Sequence, residues 1–116
     1  MTVTLYGIPN CGTVKKARVW LDGQGIAYAF HDYKKAGIET AKLRLWCNTM
    51  GWNVILNRAG TTFKALPQSD KEAIDAGKAI ALMIANPSMI KRPIIEGAGK
   101  LLVGFKPDAY AAAFAE

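Results

Sequence analysis

The stretch Leu5-Tyr6-Gly7-Ile8-Pro9-Asn10-Cys11-Gly12-Thr13-Val14-Lys15-Lys16 decides how the chain is read. Val3 to Tyr6 is a short apolar run that reads as a strand. A Gly/Pro/Asn loop follows, and helical periodicity starts at about Gly12. A cysteine at the start of a helix meets backbone N–H groups without helical partners and the positive end of the helix dipole. Both favour the thiolate. The same N–H groups can cradle an anion. The alternative is an inert cysteine closing a strand-to-helix turn. Apolar burial would raise the thiol pKa whereas this loop position lowers it, so the stretch reads as an active-site loop.

Outward from this loop, Val14, Ala17, Arg18 and Leu21 recur at i, i+3, i+4 and i+7 and predict a helix from Gly12 to Gly23, with Val19 and Trp20 widening its apolar face. Gly23 and Gly25 stop it. Ile26 to Asp32 alternates, with Ile26, Tyr28 and Phe30 on one side, as a half-buried strand does. Strand, helix, strand at this spacing is a βαβ unit with parallel strands. Lys34 to Gly37 reads as a polar break. Glu39 to Met50 reads as a helix burying Leu43, Trp46 and Cys47, with short turns over Trp52–Asn57 and Phe63–Leu66 after it. Ser69-Asp70-Lys71-Glu72 has the spacing of a capping box opening a helix that carries Ile74, Ala81, Leu82 and Ile84 and ends before Pro87. Ile94-Ile95, the turn Gly97-Ala98-Gly99, the return over Lys100–Val103 and a helix over Pro107–Phe114 complete a ββα half. The expected fold is α/β and thioredoxin-like (glutaredoxin-like): a mixed four-stranded sheet with an all-helical insertion between its βαβ and ββα halves. Residues 1–116 are expected to form one domain, with 1–35 and 91–116 as its core and 36–90 as the insertion.

The chain is 51% hydrophobic and carries fifteen Lys and Arg against nine Asp and Glu, a formal charge of +6. Such a chain attracts anions: small oxyanions, glutathione, nucleic acid or an acidic protein face. The basic residues are scattered, so direct nucleic-acid binding is not expected. Two cysteines do not make a disulfide framework. The first residues lack the charged and apolar regions of a signal peptide, and the apolar run Ala79–Ala85 is too short for a membrane span. A cytoplasmic protein is expected. One histidine and two distant cysteines form no metal site, and no glycine loop has Walker or Rossmann spacing.

Four segments together carry a family resemblance. Tyr6, Pro9 and Cys11-Gly12-Thr13, then Asn57-Arg58-Ala59-Gly60-Thr61, Ile90-Lys91-Arg92-Pro93-Ile94 and Val103-Gly104-Phe105-Lys106-Pro107 fall in the order and at the spacing of the arsenate reductase-related (ArsC) family. That family includes the glutaredoxin-coupled arsenate reductases, the Spx regulators and the YffB-type proteins. Lys15-Lys16-Ala17-Arg18 and Phe30-His31-Asp32-Tyr33-Lys34-Lys35 resemble the YffB-type branch most. The resemblance implies that Cys11 is the nucleophile and that Arg58, Arg92 and Lys106 bind the anion. It also implies that Pro93 is a cis-proline facing the cysteine. Two positions depart from the family pattern. Lys106 stands where the family has an arginine, keeping the charge without the planar fork. Gly7 stands where the enzymes often have a histidine.

Neither Ile8 nor Val14 offers a partner thiol in the loop. A mixed disulfide or sulfenic acid on Cys11 therefore needs an outside thiol, glutathione being the expected co-substrate and glutaredoxin a further partner. Cys47, on an apolar helix face, reads as a buried structural cysteine. No bound cofactor is expected. Asn10 and Thr13 flank the thiol and either donate to it or cap the helix, with Gly12 between the cysteine and Thr13. Arg58 and Arg92, taken without the resemblance, read equally as surface cations. His31 reads as a strand-end group more than a proton shuttle. The expected function is that of a monothiol oxidoreductase, reducing an oxidised thiol or an arsenate-like oxyanion. The alternative implied by the resemblance is a non-enzymatic Spx-like regulator that binds RNA polymerase.

Overall fold

A computed structural model describes residues 3–115. They divide into two compact units, one formed by the chain up to Ala36 and from Arg92 onward, the other by Gly37–Lys91.

In the first unit, β1 (Thr4–Gly7), α1 (Gly12–Gly23), β2 (Ala29–Asp32) and α2 (Tyr33–Ala36) precede β3 (Ile94–Glu96), β4 (Leu102–Val103) and α8 (Pro107–Phe114). The sheet runs in the order β2-β1-β3-β4. β1 pairs parallel with β2 and antiparallel with β3, and β3 pairs antiparallel with β4, so the sheet is mixed. This is the expected thioredoxin-like fold. In register, Leu5 faces Ile95 and Ile95 faces Leu102, so these side chains share one face of the pleat. Val14, Ala17 and Leu21 of α1 and Tyr110 of α8 join them in a single buried cluster. Leu21, wholly buried, by itself removes enough apolar surface to contribute about 1.5–3 kcal/mol.

α1 ends as its glycines predict. Gly25 takes a left-handed backbone (φ 69°), the Gly25 N–H donates to the Asp22 carbonyl (3.1 Å) and the Ile26 N–H to the Leu21 carbonyl (3.0 Å). These two bonds are the Schellman pattern, which satisfies carbonyls that the helix leaves open. Val19 does not widen the apolar face, because its side chain is 71% exposed. β2 starts at Ala29, three residues later than the alternation suggests, and Lys34 to Gly37 is not a plain break. Asp32 Oδ1 accepts from the Lys34 (3.1 Å) and Lys35 (3.2 Å) N–H groups and so starts the short helix α2.

The second unit is helical: α3 (Thr40–Met50), α4 (Trp52–Ile55), α5 (Thr61–Lys64), α6 (Gln68–Lys71), α7 (Ala76–Ala85) and a 3₁₀ turn over Pro87–Met89. Leu43, Trp46, Cys47, Ile55, Phe63, Ala79, Ile80, Met83 and Met89 are buried. An isolated antiparallel bridge joins Leu56 to Ile90, extended by Asn57 N–H to the Met89 carbonyl (2.7 Å) and Lys91 N–H to the Ile55 carbonyl (2.8 Å).

The capping box does not form. Ser69 lies inside α6, Glu72 is extended (ψ 149°) and Ala73 is left-handed (φ 49°), so the chain breaks before the next helix begins. Asp75 is the N-cap of α7, its Oδ1 accepting from the Lys78 N–H (2.8 Å). The Lys78 ammonium donates to the Ser69 carbonyl (2.8 Å) and to the Glu72 carbonyl, holding the break in place. The buried stripe of α7 is Ala79, Ile80 and Met83. Ala81 and Ile84 are exposed and Ile74 precedes the helix.

Candidate functional site

Strand register gathers distant segments at one end of the sheet. Gly7, the last residue of β1, faces Asp32, the last residue of β2. Tyr6 faces Ile94, the first residue of β3, and Ile94 faces Val103, the last of β4. The Cys11 loop, the start of α2 at Tyr33, the Arg92-Pro93 dipeptide and the segment leading to Lys106 therefore leave the sheet at the same end. The Arg92-Pro93 bond is cis and Pro93 is buried. Its carbonyl accepts from the Gly104 N–H (2.8 Å), tying the two segments that follow the sheet end.

Cys11 is the N-cap residue of α1, in extended backbone (φ −95°, ψ 127°) and without a conventional side-chain cap bond. Its carbonyl accepts the first helical bond, from the Lys15 N–H (3.0 Å), and its N–H donates to the Ile8 carbonyl (3.2 Å). The thiol is free and partly exposed. Burial alone would push its pKa up. Hydrogen bonds from the Val14 N–H, the Arg92 side chain and the Thr13 N–H, together with the Arg92 charge, outweigh that and leave it below the ordinary thiol value. These are the N2 and N3 donors that a helix cannot satisfy internally, now directed at sulfur.

Arg92 reaches a second partner, the hydroxyl of Tyr33. A guanidinium has no acceptor, so Arg92 donates in both bonds. Tyr33 is wholly buried, and that burial pushes its phenol up to about 12, so it is neutral at any physiological pH. Sequence reasoning passed over Tyr33. The available signal was an aromatic residue directly after an aspartate that ends a strand and caps a helix.

The remaining expected residues are placed as follows. Asn10 and Thr13 are exposed, and Thr13 serves the thiol through its backbone N–H. Gly12 is the first residue of α1, with open space where a Cβ would stand. Lys106, exposed, is the N-cap residue of α8, and Arg92 is the cation whose charge lowers the Cys11 pKa. Arg58 belongs to the helical unit, exposed, its guanidinium 5.8 Å from the centre of the Trp52 ring. Cys47, also in that unit, is buried, and burial raises its pKa, as an unreactive packing cysteine requires. His31 lies against Tyr6, ring centres 5.0 Å apart. Among the described residues no three His, Cys, Asp or Glu side chains group as metal ligands, and no helix is long and apolar enough to cross a membrane.

The model of the ArsC family matches residues 6–113, nearly the whole chain and every segment that reaches the sheet end. The chain belongs to the ArsC family. This ArsC chain is 60% identical to the YFFB (PA3664) protein, whose structure superposes with a TM-score of 0.95, covering 98% of this chain and 100% of that one. It is 53% identical to an arsenate reductase (ArsC) related protein from Brucella melitensis, with a TM-score of 0.77 over 100% of this chain and 97% of that one. Among curated relatives it is 42% identical to an uncharacterized protein of Haemophilus influenzae (97% of this chain, 99% of that one). It is 30% identical to the global transcriptional regulator Spx of Listeria innocua (91% of this chain, 82% of that one). The family thus contains proteins named for reduction and proteins named for regulation.

Proposed function

We propose that this ArsC chain is a monothiol oxidoreductase in which the Cys11 thiolate reduces an oxidised thiol, with glutathione as co-substrate and glutaredoxin as a further source of reducing thiol. The observation that carries the reading is the thiol of Cys11 at the N-cap of α1, held below its ordinary pKa by backbone N–H groups and Arg92. On a protein–glutathione mixed disulfide, the thiolate attacks the glutathione sulfur, the old S–S bond breaks and the protein thiolate leaves. A glutathione thiolate then attacks the glutathione sulfur of the Cys11 mixed disulfide, forming glutathione disulfide and restoring Cys11. Each step exchanges one S–S bond for another. Arg92, with Lys106 of the same unit as a further cation, would hold a glutathione carboxylate or an arsenate-like oxyanion, the second substrate class.

Intact mass after brief exposure to glutathione disulfide tests this on the wild type, Cys11→Ser and Cys47→Ser. One added glutathione is expected on the wild type and on Cys47→Ser and none on Cys11→Ser. A folded wild type that stays unmodified at Cys11 sinks the reductase reading. The Spx relatives favour one other reading, a regulator that binds RNA polymerase. Capture of polymerase subunits by wild type and Cys11→Ser alike, without thiol turnover, would support it.

A further inference from the structure

A hydrogen-bond partner of Arg92, Tyr33, lies on α2, outside the Cys11 loop and the Arg92-Pro93 segment. We propose that Tyr33 is a positioning residue: its buried hydroxyl holds the Arg92 guanidinium against the Cys11 sulfur, and so sets how readily Cys11 ionises. This deepens the reading of Cys11 as a reactive thiol and rests on that reading, though not on any particular substrate.

The geometry builds in three steps. First, the parallel register sets Asp32 beside Gly7, so the residue after Asp32 emerges next to the loop that carries Cys11. Second, Asp32 uses its carboxylate to receive the N–H groups of Lys34 and Lys35, which turns the chain into α2 and sends the Tyr33 ring into the interior, where none of it is exposed. Third, the hydroxyl meets the side chain of Arg92, which is itself hydrogen-bonded to Cys11. An arginine held at one partner alone retains several rotamers, each putting its charge elsewhere. A second partner on a rigid, buried ring leaves one arrangement. The groups facing this cluster are Cys11, Arg92, Tyr33 and, through its charge on Tyr33, Asp32. Tyr33 stays protonated throughout the range in which Cys11 titrates, so it acts as a fixed neutral acceptor for Arg92 and takes no part as a base.

The test needs no physiological substrate. In Cys47→Ser, whose single remaining thiol is Cys11, thiolate absorbance against pH and the rate of alkylation by iodoacetamide at neutral pH both report Cys11. Adding Tyr33→Phe keeps the ring and removes the hydroxyl. The Cys11 pKa should rise and thiolate-limited alkylation at pH 7 should fall about three- to tenfold, the scale of one ordinary hydrogen bond, because Tyr33 acts on the sulfur only through Arg92. A parallel thermal melt shows whether the variant is folded. In an Arg92→Gln background the same Tyr33→Phe change should have no further effect, because the guanidinium it positions is gone. An unchanged Cys11 pKa in folded Tyr33→Phe overturns the proposal. So does an effect that persists undiminished with Arg92→Gln, which would make Tyr33 act by packing alone. If Tyr33→Phe fails to fold, Tyr33→Met, which likewise has no hydroxyl and adapts to the space left by the ring, replaces it in the same cycle under the same two criteria. Failure of glutathione to add to Cys11, with the pKa still responding to Tyr33, would remove the reductase reading and leave this one standing.

Discussion

Gly7 shows how one missing side chain shapes the thiol site. A Cβ built there would lie 2.8 Å from Val14 Cγ2 and 3.4 Å from Cγ1, closer than packed atoms sit. Val14 is itself wholly buried and donates its N–H toward Cys11. The space a larger residue at position 7 would enter is therefore occupied by the side chain that anchors the first turn of α1. The histidine often found there in ArsC enzymes does not fit this chain unless Val14 shrinks. Gly7→Ala should cost about 1–3 kcal/mol by urea denaturation, the usual cost of overpacking, and Val14→Ala in the same chain should recover part of it. A neutral Gly7→Ala would mean that Val14 moves aside freely. Support for the thiolate comes instead from the Val14 N–H of the same turn and from Arg92, on a segment far away in sequence.

At the scale of elements, the two ends of helices were unequally legible. The glycines after α1 form the stop they predict, because a left-handed residue followed by an apolar one is a local pattern with few competitors. The start of α7 was misread because two patterns compete for it. Ser69 and Glu72 have capping spacing, but Asp75 is equally suited to cap, and the Lys78 ammonium collects the carbonyls of Ser69 and Glu72. Which wins depends on where Ile80 and Met83 must point to be buried, and that is a property of the surrounding core. Asp75→Ala should lower stability by about 1 kcal/mol in a thermal or urea melt, whereas Ser69→Ala should leave it within ~0.5 kcal/mol. The reverse order would restore the capping box. α2 was missed because four residues give no periodicity; only the carboxylate of Asp32 marks it.

Over the molecule as a whole, the sheet-based unit places two tyrosines where ionisation is unwelcome. Burial pushes Tyr33 up to about 12 and raises Tyr110 as well. Tyr110 donates to the Gly104 carbonyl (2.6 Å) and packs edge-on against Trp20 (5.5 Å between ring centres) and Phe105 (5.1 Å). For both, the folded state holds its proton to higher pH than the unfolded chain. Their contribution is complete below the ordinary tyrosine pKa of about 10 and is lost as pH rises beyond it. Melting temperature should therefore fall steeply above pH ~10, and a late-ionising component of the tyrosinate absorbance should be lost in Tyr33→Phe and in Tyr110→Phe. A melting temperature flat to pH ~11, or a tyrosinate titration unchanged by either substitution, would contradict this.

The sequence by itself determined the order of the four strands and the longer helices, the βαβ and ββα halves and the cysteine at the mouth of α1. Each of these is written in contacts within a few residues: apolar periodicity, turn glycines, orphan N–H groups at a helix start. Tertiary structure alone decided that β2 pairs with β1 in the register that sets Asp32 against Gly7. It alone decided that β3 begins beside Tyr6 and that Tyr33 meets Arg92. Arg92 and Cys11 lie near opposite ends of the chain, and no local signal says which cation will reach the thiol. Strand pairing makes that choice, because backbone hydrogen bonds fix the register and the register fixes which loops leave the sheet together.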